Sequence, residues 1–352
     1  MQIDFHHAAT YVIARDAGFS HDEADLIAYS AQYVDDATTE GPVCFSNGAM
    51  YQRISSSHPN GAPGNLDNRQ NRMTWLPFHF LPDNGGLPAG QDPLGSFIDK
   101  LVCRPDSNVA KDMVRVCLND RDRPFALQRL GVTMHVYADT FAHQGFAGVL
   151  HAINEVKAPE ETSADKRLPG GMLAFWDQII QHAAPPIGHG RALTLPDLPF
   201  LQWRYTDGRG KPVPRDNTSI FIEAAHALCH AMQAYRSADP GAQTTDLPNH
   251  DEQVMHDLFV SQTDMDPLIR HKAWLSALQA GQFSFGPAII AYDADGPASW
   301  KAQALGTTAE AAEYAFQTGF LTTKWKYFQD ALQLHRLTVL HDVLPKYGVC
   351  VG

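Results

Sequence analysis

Cysteine is scarce in this 352-residue chain: five residues, Cys44, Cys103, Cys117, Cys229 and Cys350, odd in number and widely scattered. None forms a C-x-x-C pair, which argues against a disulfide framework and against a thiolate zinc site. Net positive charge is also lacking. The formal charge is −12, so the chain has no broad basic face for gripping nucleic acid non-specifically. No apolar run reaches membrane-spanning length, and MQIDFHHAATYVIARDAGFS has neither a basic leader nor a continuous apolar stretch. These absences predict a protein without stable membrane insertion, cytoplasmic or exported without a cleaved signal peptide. Repeats at solenoid periods and low-complexity segments are missing too. What the chain has is a 44% hydrophobic composition and seventeen histidines, enough of the latter that only clusters carry meaning.

The most informative cluster lies in GVTMHVYADTFAHQGFAG, where His135, Asp139 and His143 recur every four residues. On a helix that spacing stacks the three side chains on one face. Gly131 and Ala142 beside them leave room for an ion or a second helix. Leu127, Leu130, Met134, Tyr137 and Phe141 form a separate apolar stripe. A helix apolar on one side and bearing imidazoles and a carboxylate on the other is predicted to be buried all round. Buried Asp and His need partners, and a metal ion is the natural one. The alternative is a pair of core histidines bonded to backbone, with Asp139 in a salt bridge.

Around this helix the pattern predicts helices near 4–17, 20–36, 94–103, 108–118, 172–183, 217–235, 250–261, 268–279 and 308–344. Ser20 with Glu23 reads as a capping box. The inner face Ala24, Ile27, Ala28, Ala31 ends on Asp35, with Asp36 a quarter-turn away. Acidic residues are disfavoured at a helix C-terminus, so Asp35 reads as placed there for a purpose. Residues 40–93 show no clear period, yet TWLPFHFLP is too aromatic for disorder. This stretch reads as an ordered loop with His79 at its centre, and His58 as an ordinary turn histidine. Later, PPIGHGRALTLPDLPFLQW sets His189 between glycines and Asp197 among prolines. His226 and His230 also form an i, i+4 pair, read as core or interface because no carboxylate accompanies them. Taken together the chain is expected to be all-α, a single domain over 1–352. A metal-binding core would occupy 1–205, with a C-terminal helical extension over 206–352 packed on it.

In order, an early His, the Asp of QYVDDAT, the His of PFHFLP, H-x-x-x-D with a following His, and a Gly-His loop resemble a known superfamily. It is that of the zinc-dependent phospholipases C and the S1/P1 nucleases, all-helical enzymes that bind two or three zinc ions through His and Asp. The similarity spans about residues 1–200. The segments also look like an uncharacterised phospholipase-like branch. The resemblance implies that Asp35, His79, His135 and Asp139 hold one zinc ion. His143 and His189 would hold another, with Asp197 or Asp36 as carboxylate, and His6 or His7 would serve a third ion sharing Asp139. It implies catalytic roles for Asp139 and for Asp35, the latter as base. Three departures stand out. His143 follows Asp139 by four residues rather than six, and Asp197 follows His189 by eight rather than four. The secreted members use a mature N-terminal amine as ligand, whereas this chain starts at Met1, so the third site is expected to be missing, altered or served by His6 with His7.

Two ions about 3.5–4 Å apart suit phosphoester hydrolysis by binding a phosphoryl oxygen and activating a water. The expected activity is phospholipase C-like cleavage of a phospholipid or related phosphodiester. The expected partner is a phospholipid headgroup, zwitterionic or a soluble short-chain ester because an acidic protein is repelled by anionic bilayers. Nucleic acid enters only as a substrate, in an S1/P1-like alternative. A non-enzymatic interaction protein retaining a metal core is the other. Arg53, Arg69, Arg72 and Lys100 are candidate phosphate clamps. A His-Asp phosphohydrolase would have to use His21–Asp22, His250–Asp251, His256–Asp257 or His341–Asp342, which sit at exposed-looking helix ends.

Overall fold

In a computed structural model of the chain, the structure describes residues 1–58, 67–173 and 184–351. A π-helical turn, Asp4–Ala9, runs into α1, Thr10–Asp16, and is followed by α2, His21–Asp36. The strands β1 (Gly41–Cys44) and β2 (Met50–Arg53) precede α3 (Asn68–Phe78), α4 (Ile98–Leu101), α5 (Asn108–Asn119) and α6 (Ala126–Ala142). Three strands then lie at Lys157–Glu161 (β3), Gln202–Thr206 (β4) and Pro212–Asp216 (β5). The last helices are α7 (Asn217–Ser237), α8 (Asn249–Ser261), α9 (Pro267–Gln279), α10 (Trp300–Leu305) and α11 (Lys324–Thr338).

The fold is helix-rich but not all-α, which corrects the expectation from sequence. β1 and β2 form one antiparallel hairpin, and β3-β4-β5 form a second antiparallel sheet. Proline or charge in GPVC, PVPRD and KAPEE hides a strand period, whereas QWRYT does alternate, burying Trp203 and Tyr205, and is the strand its sequence could have shown. Other boundaries shift as well. Of 94–103 only Ile98–Leu101 is helical, because Cys103 pairs with Pro82 in a β-bridge. Of 308–344 the regular helix begins at Lys324, after Thr323 caps it. The expected helix at 172–183 falls largely outside the described residues.

α6 is the axis, with Gln128 to Ala142 buried without a break. It packs on α2, α7 and α11, and on α3 and α5. The small face at Gly131 admits a helix: a Cβ there would stand 2.4 Å from the Ile27 carbonyl and 2.6 Å from Ser30 Cβ of α2. α2 starts with the predicted capping box between Ser20 and Glu23. Two buried arginines hold the ends of α6. Arg129 donates to Thr133, to Thr338 of α11 and to His335, whose Nε2–H in turn donates to the Pro77 carbonyl at the end of α3. Arg215 of β5 donates to the carbonyls of Ala142 (2.6 Å) and Gln144 (3.1 Å). A cation on those terminal carbonyls satisfies orphan acceptors and complements the helix dipole. The three-strand sheet therefore braces the end of α6 where His143 sits.

Candidate metal centre

The site forms where the ends of several elements meet. Asp35 closes α2, His79 is the residue after α3, and His143 is the residue after α6. His143 thus caps the helix instead of riding on it, its N–H bonded to the Asp139 carbonyl. His189 precedes a 3-10 turn at Gly190–Ala192, and Asp197 ends another at Leu195–Asp197. His6 lies in the π-helical turn. Among the described residues, three groups bring their ligand atoms within 4.8 Å of one another: His6, Asp35 and His135; His79, His135 and Asp139; His143, His189 and Asp197. Asp139 is at the hub. Its Oδ1 lies 3.2 Å from His6 Nε2, and its Oδ2 lies 3.2 Å from His79 Nδ1, 3.3 Å from His135 Nε2 and 3.5 Å from His143 Nδ1. Asp35 Oδ1 is 3.8 Å from both His79 Nδ1 and His135 Nε2. Asp197 is 3.5 Å from His143 Nε2 and from His189 Nε2.

The imidazoles are aimed by backbone. His135 Nδ1 donates to the Ala31 carbonyl (2.8 Å) and His79 Nε2 to that of Ser56 (3.0 Å). His143 Nδ1 donates to the His79 carbonyl (2.9 Å) and His189 Nδ1 to that of Leu193 (2.6 Å). A carbonyl only accepts, so these bonds assign the tautomers: in each neutral ring the other nitrogen is a bare lone pair. A polar acceptor on the far nitrogen is how ligating histidines are oriented. Leu193 holds its carbonyl toward His189 from a left-handed backbone (φ 50°), a strained posture for a branched residue. Gly188 shares that region (φ 49°), and a Cβ there would stand 2.2 Å from the Phe80 ring. Its role is to let Phe80 stack on His143, at 4.6 Å between ring centroids.

Electrostatically the hub is a carboxylate among cations and would-be cations. Against the cost of burial, His143, the Met1 amine, His135 and His6 hold the Asp139 carboxyl well below the usual range. Burial, and next the Met1 amine, push His6 down to about 4; burial and His143 take His189 down to about 4. His135 is driven well below its ordinary value by burial and by His6. Asp35 is the opposite case: burial and the neighbouring Asp139 raise its pKa well above the usual carboxylate value. Of the set it is the least enclosed, with its side chain 31% exposed.

All the residues expected from sequence converge except His7 and Asp36. His7 turns away to His271, with Nδ1 2.9 Å from His271 Nε2, because successive helical residues point in different directions. Asp36 accepts from Tyr292 (2.5 Å) and Gln32 (3.0 Å) outside the cluster. One group not counted among the candidate ligands is also at the centre. The Met1 amine donates to Asp139 Oδ1 (2.7 Å), lies 3.2 Å from Asp197 Oδ1 and 3.4 Å from His143 Nε2. Against burial, Asp139 and Asp197 raise its pKa to about 11.

The cluster floors a cavity of about 310 Å³ whose walls include Gln2, Thr38, Ser57, His58, Trp75 and Phe80. His58, read as a turn residue, is therefore a wall residue, edge-on to Trp75 at 5.8 Å. No Lys or Arg lines the cavity among the described residues. Arg53 is paired with Glu310 at 2.8 Å and Lys100 with Asp92, so neither acts as the expected phosphate clamp.

Fold and site together define a helix-rich protein built around a buried His/Asp centre of metal-ligand type. The chain belongs to a family of unknown function, DUF6765, whose match covers residues 1–343. No curated protein and no solved structure matches it.

Proposed function

We propose that the protein is a metal-dependent phosphoester hydrolase, with zinc held by Asp35, His79, His135 and Asp139 and by His143, His189 and Asp197. The observation that carries the metal is a triangle of acceptors. His79 Nδ1 and His135 Nε2 lie 3.2 Å apart, and each lies within 3.3 Å of Asp139 Oδ2. Both nitrogens are lone pairs, since their ring partners donate to carbonyls. Three lone pairs at that range repel unless a proton or a metal cation sits among them, and burial opposes the proton on His135. His6 adds two buried ring nitrogens without a hydrogen-bond partner. Imidazole and carboxylate donors without thiolate fit zinc better than calcium or magnesium. A third ion would lie between His6 and Asp139, whose Oδ1 is 3.2 Å from His6 Nε2.

Bound there, two zinc ions would neutralise phosphoryl charge and lower the pKa of an attacking water. That supply of charge matters because no Lys or Arg lines the cavity among the described residues. Asp35, the least enclosed carboxylate of the set, is the group that would take the proton of the water, at the Oδ atom not engaged with an ion. Asp139 keeps both oxygens engaged in the hub and holds the ligands together. Trp75, Phe80 and His58 supply an apolar and aromatic wall against which the organic part of the ester would lie. The substrate proposed is a phosphodiester of headgroup size, a zwitterionic phospholipid or a soluble short-chain analogue cleaved on the glycerol side of the phosphate.

The test is incubation of zinc-loaded protein with phosphatidylcholine, a chromogenic phosphodiester and single-stranded nucleic acid, with and without chelator. Chelator-sensitive release of phosphocholine is the expected result. Nucleotide release instead would make the protein a nuclease, and no release from any substrate with zinc verified in place would make it a non-enzymatic metal protein.

A further inference from the structure

The second histidine pair, His226 and His230, lies one turn apart on α7 and shares no residue with the central cluster. Sequence offered it no carboxylate; the fold brings two. α7 ends at Ala238 in a left-handed conformation (φ 64°), and the chain doubles back along the helix. Gln233 pins the returning segment by donating to the Thr245 carbonyl (3.0 Å) and accepting from the Thr245 N–H (2.8 Å). The next residue, Asp246, then puts Oδ1 3.0 Å from His230 Nε2 and 3.6 Å from His226 Nδ1. Leu247, buried, anchors the segment beyond it.

From α8, Glu252 Oε2 lies 3.3 Å from the other nitrogen of His226, Nε2. A carboxylate there favours the Nε2–H tautomer and leaves Nδ1 as a lone pair facing Asp246. That Nδ1 is buried and has no hydrogen-bond partner. The arrangement is a metal-ligand histidine with its orienting carboxylate already in place. Spacing of i, i+4 sets two imidazoles on one helix face, as metal-binding helices require.

We propose that His226 Nδ1, His230 Nε2 and Asp246 form a separate, solvent-facing site for a divalent transition-metal ion of the zinc class, with Glu252 as a positioning residue. Two imidazoles and one carboxylate favour zinc, nickel or copper over magnesium or calcium. His230 and Asp246 are exposed, so they adjust to an ion without disturbing the core, and water fills the remaining positions. The site stands independently of the hydrolase reading.

The experiment is zinc stoichiometry by equilibrium dialysis on the full chain, comparing wild type with His226→Ala and His230→Ala. Wild type is expected to hold one zinc more per chain than either variant, the central complement remaining unchanged. Glu252→Gln is expected to retain the site with affinity lowered about 10-fold or more. Thermal melts of metal-stripped wild type and His230→Ala should coincide, because the His230 side chain is exposed. Identical zinc counts in wild type and both histidine variants overturn the site. Full affinity in Glu252→Gln overturns the positioning role.

Discussion

At the scale of single residues, Asp139 has no substitute. It is fully buried and touches His6, His79, His135 and His143 at once. Asp139→Asn keeps the shape and removes the charge, leaving buried imidazoles without their counter-ion. We expect this variant to lose at least one zinc per chain by elemental analysis. Loss of the buried charge alone should also destabilise the metal-free fold by about 3–5 kcal/mol in urea titration. Full metal content with wild-type stability would make Asp139 merely structural. His79 and His58 separate ligand from wall. His79 faces Asp139 and Asp35, whereas His58 only lines the cavity beside Trp75. His79→Ala should abolish chelator-sensitive hydrolysis and lower zinc content. His58→Ala should leave zinc content intact and act on KM more than kcat, the signature of lost ground-state binding. Equal zinc loss in the two variants would contradict the assignment.

At the scale of elements, the site depends on how closely α2 approaches α6. Gly131 sets that distance, since an added Cβ would overlap the Ile27 carbonyl and Ser30. Backbone cannot swing aside as a side-chain end can, so Gly131→Ala must push the helices apart. Overpacking of this kind costs about 1–3 kcal/mol, to be read from the urea midpoint. Because Asp35 lies in the last turn of α2, the same displacement should weaken zinc binding, whereas a helix-propensity argument alone predicts that Ala stabilises. An unchanged or raised midpoint would show that the interface yields. The other elements act as braces. β5 brings Arg215 to the end of α6, and the Arg129–His335 pair holds the end of α3 against it. Each fixes a turn that carries a ligand, His143 in one case and His79 in the other.

At the scale of the whole molecule, metal binding and acid stability are coupled. Without metal, His6, His189 and His271 have pKa values of about 4, driven down chiefly by burial, against an ordinary 6.5. They stay neutral in the folded protein while the unfolded chain takes up protons. The metal-free protein should therefore hold its full stability from these groups above about pH 6.5 and lose it progressively as pH falls toward 4. Asp139, depressed in the fold, adds a loss at still lower pH. Zinc competes with those protons, so loaded protein should show a higher Tm than chelated protein at pH 7, with the gap closing on acidification. A chelator that leaves Tm unchanged at pH 7 would argue against ions in the centre. No described helix is long and apolar enough to cross a membrane.

Local periodicity determined most of the helical part of this protein, but not α3, which lies within the stretch read as a loop and carries Pro77. The capping box of α2, the buried stripe of α6 and the four-residue spacing of His135 and Asp139 follow from 3.6 residues per turn, which is a local property. The strands did not follow, because proline or charge in GPVC, PVPRD and KAPEE hides a strand period, and KAPEE finds its partner strand only far along the chain. Convergence was likewise a tertiary matter. That His79 and Asp35 meet His135, that His7 turns to His271, and that Asp246 and Glu252 reach the His226 pair depends on chain reversals many residues away. Spacing decides which residues share a helix face; only packing decides what that face meets.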